Sequence, residues 1–398
     1  MRVKRRACGM ITFSVVAMLL AVSASHAQTT GITNDSILIG NLNPLSGSAS
    51  ASGISQREGT QLAVDEINAA GGVHGRKLVV TYADDECNPV RGLAAAKKMI
   101  SDGAFILTGL YCSVVAATLL PEVERARVPL VLSGTLTART VDPLNRYVFR
   151  VVGFPNSRDI AFGRASYWID KLKATRIAFF HQADELGRSD IESTRMALAK
   201  YSGWEILALP INVGDTDFTA QILKAREWKP DLVYMNALPK EGSLLVKQAK
   251  ELGLRGEYWG GGSLTTGGFY DAVGELATGM LIEISFSDEI DAHTPGIKTL
   301  HDKLVARFGK GPGRPNVKAL SGYYSFKVLA EGLKRAGREL TREKLIAAME
   351  TMSGVDVGLG YPVTLSPTNH EGTNTLTIYK VVSATKRVKA VDITWPRQ

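Results

Sequence analysis

Cysteine is scarce in this chain: 398 residues carry three, Cys8, Cys87 and Cys112. Histidine is nearly as rare. None of His74, His181, His293, His301 and His370 stands at the i, i+4 spacing of a helical metal pair or beside a cysteine pair, so no metal-ligand pattern is present. The glycine-rich runs Gly260-Gly261-Gly262-Ser263 and Gly309-Lys310-Gly311-Pro312-Gly313 lack the spacing of a phosphate loop or a dinucleotide fingerprint, and no G-x-S-x-G nucleophile elbow occurs. Basic residues are not gathered into runs interleaved with aromatics, which removes the nucleic-acid reading that the net charge of +8 invites. Beyond the first residues, no stretch approaches the ~20 apolar residues of a membrane span.

The front end is the exception. Arg2, Lys4, Arg5 and Arg6 precede an apolar run from Met10 to Ala24, and Ser25-His26-Ala27 puts small residues where a signal peptidase reads. We expect residues 1–27 to be a cleaved signal peptide and the protein to be periplasmic. Cys8 precedes the apolar run, which argues against a lipid anchor. The four basic residues of this leader carry half the net charge, so the remainder is only mildly basic. Export also changes the reading of the other two cysteines. An isolated pair in an oxidising compartment favours one Cys87–Cys112 disulfide over two unlinked thiols. It would close a loop of about 26 residues, worth about 3 kcal/mol.

The remaining ~370 residues exceed what one core supports, so two lobes are expected. Short apolar strands alternate with helical stretches throughout. Ile37–Leu42, Lys77–Tyr82, Ala104–Thr108 and Leu130–Leu132 read as strands, separated by helices over Gln56–Ala70, Val90–Ser101 and Ser113–Arg127. A second series follows Arg150: helix Ser157–Leu172, strand Arg176–Phe180, helix Glu185–Tyr201, strand Glu205–Leu209, an Asp215/Asp217-capped helix to Trp228, then strands at Leu232–Met235, Tyr258–Gly260 and Gly279–Ser285. The tail adds helices Thr294–Phe308, Ala319–Ala336 and one from Thr341 to Met352, then two strands, Thr375–Val382 and Val388–Trp395, able to pair as a hairpin. This order predicts an α/β fold of two doubly wound parallel-sheet lobes.

Ligands of such sheets bind outside the carboxyl ends of the strands. The turns that fall there are rich in hydroxyls: Ser46–Ser52, Tyr111-Cys112-Ser113 and Ser133-Gly134-Thr135-Leu136-Thr137. Ser113 opens a helix, where free N–H groups favour an anion. The same residues also serve as ordinary helix caps. The acidic cluster Asp84-Asp85-Glu86 offers carboxylates for a base or a calcium ion, but the end of a strand is more often simply solvated. With no nucleophile, base or metal set assembled, the chain reads as a binder rather than an enzyme, with no cofactor.

Four stretches resemble a known family. They are the opening strand into Leu45-Ser46-Gly47, then Ala63-Val64-Asp65-Glu66-Ile67-Asn68-Ala69-Ala70-Gly71-Gly72-Val73-His74-Gly75, then Tyr82-Ala83-Asp84-Asp85-Glu86-Cys87-Asn88-Pro89, and Gly109–Ser113. Together they are similar to the branched-chain amino-acid (Leu/Ile/Val-binding) group of periplasmic solute-binding proteins of ABC importers. The resemblance implies lobes of 28–150 plus 285–355 and 151–284 plus 356–398, joined by crossovers near Arg150–Gly153, Leu281–Ser285 and Val355–Tyr361. It implies a monomer that closes on a small molecule and delivers it to permease and ATPase subunits. A ligand sensor of the same fold is the alternative. The family's first-lobe disulfide falls on Cys87 and Cys112.

The resemblance also implies where the ligand sits. A carboxylate goes to Ser113, with Cys112 and Tyr111 beside it, and to the turn Gly134, Thr135, Leu136 and Thr137, with Ser52 nearby. The positions that take an ammonium group in the family, a tyrosine and a glutamate, fall here on Leu238 and Gly262, which cannot. An apolar position of the family falls on Lys318. A buried ammonium without a carboxylate costs several kcal/mol. The expected ligand is therefore a small carboxylate or an amino-acid-like solute, aromatic ones included, and not a standard branched-chain amino acid, enclosed in part by Tyr111, Tyr234 and Trp259.

Overall fold

A computed structural model describes residues 30–135, 137–151, 157–265, 267–284, 295–311, 317–359, 362–373 and 375–394. The chain forms two sheets. The first contains β1 (Ser36–Asn43), β2 (Lys77–Asp84), β3 (Ile106–Gly109), β4 (Leu130–Leu132) and β5 (Val148–Arg150), all parallel, in the order β2-β1-β3-β4-β5. Helices α1 (Ser50–Ala69), α2 (Pro89–Ser101) and α3 (Ser113–Ala126) connect its strands. The residues of β3 and β4 are buried without exception, as a strand covered on both faces requires.

The second lobe starts with α4 (Ser157–Ser166), which continues as one π-helical turn over Tyr167–Lys171. Its sheet is built from β6 (Arg176–Gln182), β7 (Glu205–Ile211), β8 (Leu232–Asn236), β9 (Glu257–Gly260) and β10 (Leu281–Ile284). Helices α5 (Glu185–Leu198), α6 (Thr219–Trp228), α7 (Pro239–Glu251) and α8 (Gly267–Val273) fill the connections. The tail helices α9 (Pro295–Phe308), α10 (Val317–Arg335) and α11 (Arg342–Glu350) return to the first lobe, where Tyr324, Phe326 and Leu333 share a core with Ile37, Ile39 and Phe105. Strands β11 (Thr375–Ser383) and β12 (Lys386–Thr394) then extend the second sheet as an antiparallel hairpin, giving β12-β11-β10-β9-β8-β6-β7.

Three local readings need adjustment. Helix α1 begins at Ser50, not Gln56. The small residues of its first turn allow close packing rather than a loop: a Cβ on Gly53 would lie 1.9 Å from the Pro44 carbonyl oxygen. Asp215 and Asp217 do not cap α6 as its N-cap residue, which is Phe218. Asp217 accepts from the Thr219 N–H and Asp215 from the Asn212 N–H. The third passage between lobes falls later than Val355–Tyr361. Leu359, Val363 and Leu365 stay in the first core, and the Gly372 N–H donates to the Arg150 carbonyl.

Helix α10 crosses α1 through glycine on both sides. A Cβ on Gly59 would lie 1.8 Å from the Ala319 carbonyl oxygen, and one on Gly322 would lie 2.0 Å from that of Gln56. This contact fixes the start of α10, and with it Lys318, at the carboxyl edge of the first sheet.

Candidate functional site

The cavity at the facing carboxyl edges of the two sheets has a volume of about 120 Å³. Its first-lobe wall comes from the turns after β2 and β3. After Gly109, Leu110 is held in the left-handed region at φ +62°. Its N–H donates to the Leu42 carbonyl and its own carbonyl accepts from the Thr135 hydroxyl at 2.8 Å. This constrained turn presents Tyr111, Cys112 and Ser113 in sequence. Cys112 is the N-cap of α3, Ser113 its first residue, and both line the cavity.

The turn after β2 is tied from the other side. Asp84 accepts from the Leu45 N–H and the Ser46 hydroxyl, both at 2.7 Å, holding the loop after β1. Asn88 caps α2 by accepting from the Val90 and Arg91 N–H groups. A disulfide joins Cys87 to Cys112 with their Cα atoms 5.4 Å apart. Asp85, expected to be solvated with its acidic neighbours, is fully buried beside it and accepts from the Cys87 N–H at 2.8 Å. Burial pushes the Asp85 carboxyl up to about 6; the Cys87 N–H opposes this and the Asp84 charge adds to it. The two sulfurs beside it are bonded to each other, so no thiolate is left there to ligate a metal with Asp85.

The opposite wall comes from residues at or just past the ends of second-lobe strands: Gln182, Asp184, Leu186, Val213, Leu238 and Ser263. Asp184 caps α5 through the Gly187 N–H at 3.2 Å, and burial raises its carboxyl above the usual range. Lys318, only 2% exposed, enters from α10. Its Nζ lies 3.4 Å from the Gly262 carbonyl oxygen and 5.6 Å from the centre of the Tyr111 ring. The Tyr111 phenol faces the Ser52 and Ser263 hydroxyls without meeting hydrogen-bond geometry; burial raises its pKa, and those hydroxyls partly oppose the rise.

The sequence-selected residues thus separate. Tyr111, Cys112, Ser113, Gly134, Leu238 and Lys318 line the cavity. Ser52 stands behind Tyr111, and Gly262 contributes a carbonyl to Lys318. Thr135 and Thr137 are fully buried and bonded elsewhere: Thr135 holds Leu110, and the Thr137 hydroxyl donates to Glu185 Oε1 at 3.0 Å across the lobes. Leu136 lies outside the described residues. Tyr234 and Trp259 do not enclose the cavity. They belong to a buried cluster around Arg164, which donates to Asp190 at 2.5 Å, Thr194 at 2.6 Å, Tyr234 at 2.7 Å and Glu283 at 2.8 Å. Trp259 donates to Glu283 at 2.9 Å. Burial works against the Arg164 charge, and the Asp190 and Glu283 carboxylates more than offset it.

Gln182, Asp184, Leu186, Val213 and Ser263 were missed from sequence. Each lies at the last residue of a parallel strand or within a few positions after it, so the strand-end rule applied to the second lobe would have found them. The lobes also touch directly: Arg139 pairs with Glu185 at 3.1 Å, and the Ala138 N–H donates to the Ser189 hydroxyl at 3.1 Å.

Two α/β lobes with a cleft at their facing strand ends, a chain that passes between them three times, and a match of residues 36–386 to the family described as periplasmic binding protein decide the family. The chain belongs to the periplasmic binding proteins. Among curated relatives, it is 29% identical over 377 residues to a Leu/Ile/Val-binding protein of Rhizobium johnstonii, covering 93% of this chain and 96% of that one. It is 27% identical over 340 residues to the leucine-, isoleucine-, valine-, threonine- and alanine-binding protein of Pseudomonas aeruginosa, covering 84% and 86%. Its structure is similar to a leucine-binding protein from Thermotoga maritima, with TM-score 0.79, 21% identity and coverage of 90% and 98%. It is also similar to an R. palustris ABC-transporter solute-binding protein in complex with benzoate, with TM-score 0.76, 21% identity and coverage of 90% and 96%. At such identities the structural likeness shows the fold. Among the described residues no helix is long and apolar enough to cross a membrane.

Proposed function

We propose that this protein is the periplasmic substrate-binding component of an ABC importer for a small carboxylate lacking an α-ammonium group. In this reading residues 1–27 direct export and are removed. The mature protein works as a monomer and hands its ligand to permease and ATPase subunits, with no catalysis of its own.

The observation that carries the reading is Lys318, a lysine 2% exposed in the cleft. Leu238 and Gly262 give the second lobe neither the tyrosine nor the glutamate with which amino-acid binders of the family take an ammonium group. The acids that do reach the lining have other engagements, Glu86 with Arg91 and Asp184 with its helix. Lys318 and the α3 N-terminus at Ser113 supply positive potential to a carboxylate. The fold accepts such a ligand, since the R. palustris relative was solved with benzoate.

Calorimetry tests this with leucine, 4-methylpentanoate and benzoate. The acids without an amino group are expected to bind, and Lys318→Met to weaken them about a hundredfold. Leucine binding at micromolar or tighter affinity overturns the reading.

A further inference from the structure

The cavity holds more hydrogen-bond donors than one carboxylate engages, and they stand on both walls. Lys318 and Tyr111 belong to the first wall. Gln182 lines the second, at the last position of β6, and is 3% exposed. Its Nε2 has no hydrogen-bond acceptor among the described residues, and neither has the Tyr111 phenol. A buried amide donor without a partner costs about 1–3 kcal/mol, so it is retained against a steady penalty unless something accepts from it. None of the remaining lining of that wall accepts from it: Leu186, Val213 and Leu238 are apolar, Asp184 is turned to the Gly187 N–H of its own helix, and Ser263 faces the Tyr111 phenol.

Building on the carboxylate reading above, we infer that the ligand carries a second, uncharged oxygen acceptor, a carbonyl or ether oxygen, that takes its hydrogen bond from Gln182 when the lobes enclose it. The substrate class is then an oxo acid or an equivalent oxygenated carboxylate rather than a plain fatty or aromatic acid. A second carboxylate is disfavoured, because Asp184 shares that wall and the cavity's one lysine enters from the other lobe. The aliphatic lining packs the carbon skeleton between the two polar ends. Selectivity against a plain acid comes from leaving the Gln182 donor buried and unsatisfied, which is how a site that hydrogen-bonds its ligand rejects an analogue lacking the acceptor.

The test is calorimetry on the full mature chain with pentanoate, 2-oxopentanoate and 4-oxopentanoate, and with 3-phenylpropanoate against 3-phenyl-2-oxopropanoate. At least one oxo acid is expected to bind about tenfold or more tightly than its unsubstituted partner. In Gln182→Leu that ratio is expected to fall to near unity. Gln182→Met, which removes the donor but keeps an unbranched chain of similar length, is expected to do the same and serves if the leucine variant fails to fold. Equal binding of oxo and unsubstituted acids, or a preference that survives both substitutions, overturns the role of Gln182 and leaves the carboxylate reading standing. If no acid of the set binds, the carboxylate reading has failed and the inference falls with it.

Discussion

The two lobes carry their buried polar groups in different ways. In the middle of the first sheet, on β1 and β3, the groups are neutral and form a short chain: Asn43 donates to Asn41 at 2.9 Å, Asn41 to Thr108 at 3.0 Å, and Thr108 to the Gly40 carbonyl at 3.0 Å; the buried Arg150–Glu371 pair lies at its β5 edge. In the second lobe the corresponding layer is ionic, with Arg164 between Asp190 and Glu283 and joined by Tyr234, Trp259 and Asn236. The neutral chain can lose a link at modest cost. The ionic cluster cannot, because removing its single guanidinium leaves two carboxylates buried together. The first lobe places its rigidity elsewhere, in a covalent link at the cleft edge.

The sharpest way to break this comparison is Arg164→Met, expected to destabilise the protein by about 3–5 kcal/mol in thermal or denaturant unfolding. A loss below 1 kcal/mol would mean that the cluster is not an ionic keystone. Next comes Cys87→Ser, with Cys112→Ser to avoid a lone thiol. About 3 kcal/mol should be lost, seen as a lower denaturation midpoint that reducing agent no longer shifts.

Asp85→Asn should act in the opposite direction. The folded carboxyl is pushed up to about 6, above the ordinary 3.8 of an exposed aspartate. The folded state therefore holds its proton more tightly than the unfolded state, and stability falls as pH rises between those values. At pH 7 the amide is expected to raise stability by about 2 kcal/mol and to remove this part of the pH slope. The smallest effect is Thr108→Val, which cuts the neutral chain of the first sheet and should cost about 1 kcal/mol. If it matched Arg164→Met, the contrast between the lobes would be wrong.

Much of this was legible in the residues. The alternation of apolar strands and helices predicts the doubly wound lobes, and the β11–β12 hairpin follows from its paired apolar runs. The cysteine pair was legible by count alone. Ser113, Leu238 and Lys318, positions that the family resemblance singled out, line the cavity. The errors share a physical origin. Small polar residues look alike in sequence whether they line a pocket or allow two backbones to approach, as at Gly53 and Gly59. A hydroxyl after a strand also reads as a ligand contact when its partner is another segment of the chain, as with Thr135 and Leu110. Tyr234 and Trp259 looked like a ligand enclosure because Arg164, Asp190 and Glu283 come from three distant segments that only the fold brings together.

The Glu185 contacts bear on overall affinity rather than selectivity. Thr137 and Arg139 reach Glu185 across the lobes, and the Ala138 N–H reaches Ser189, at points that do not line the cavity. Whatever these bonds contribute to the joined arrangement is contributed equally for every ligand, so they scale all affinities by one common factor. Loosening them would weaken the hold on each bound molecule in the same proportion and leave the ranking among molecules untouched. The residues that line the cavity and the residues that bond one lobe to the other are therefore separate in this chain, and either set can change without the other.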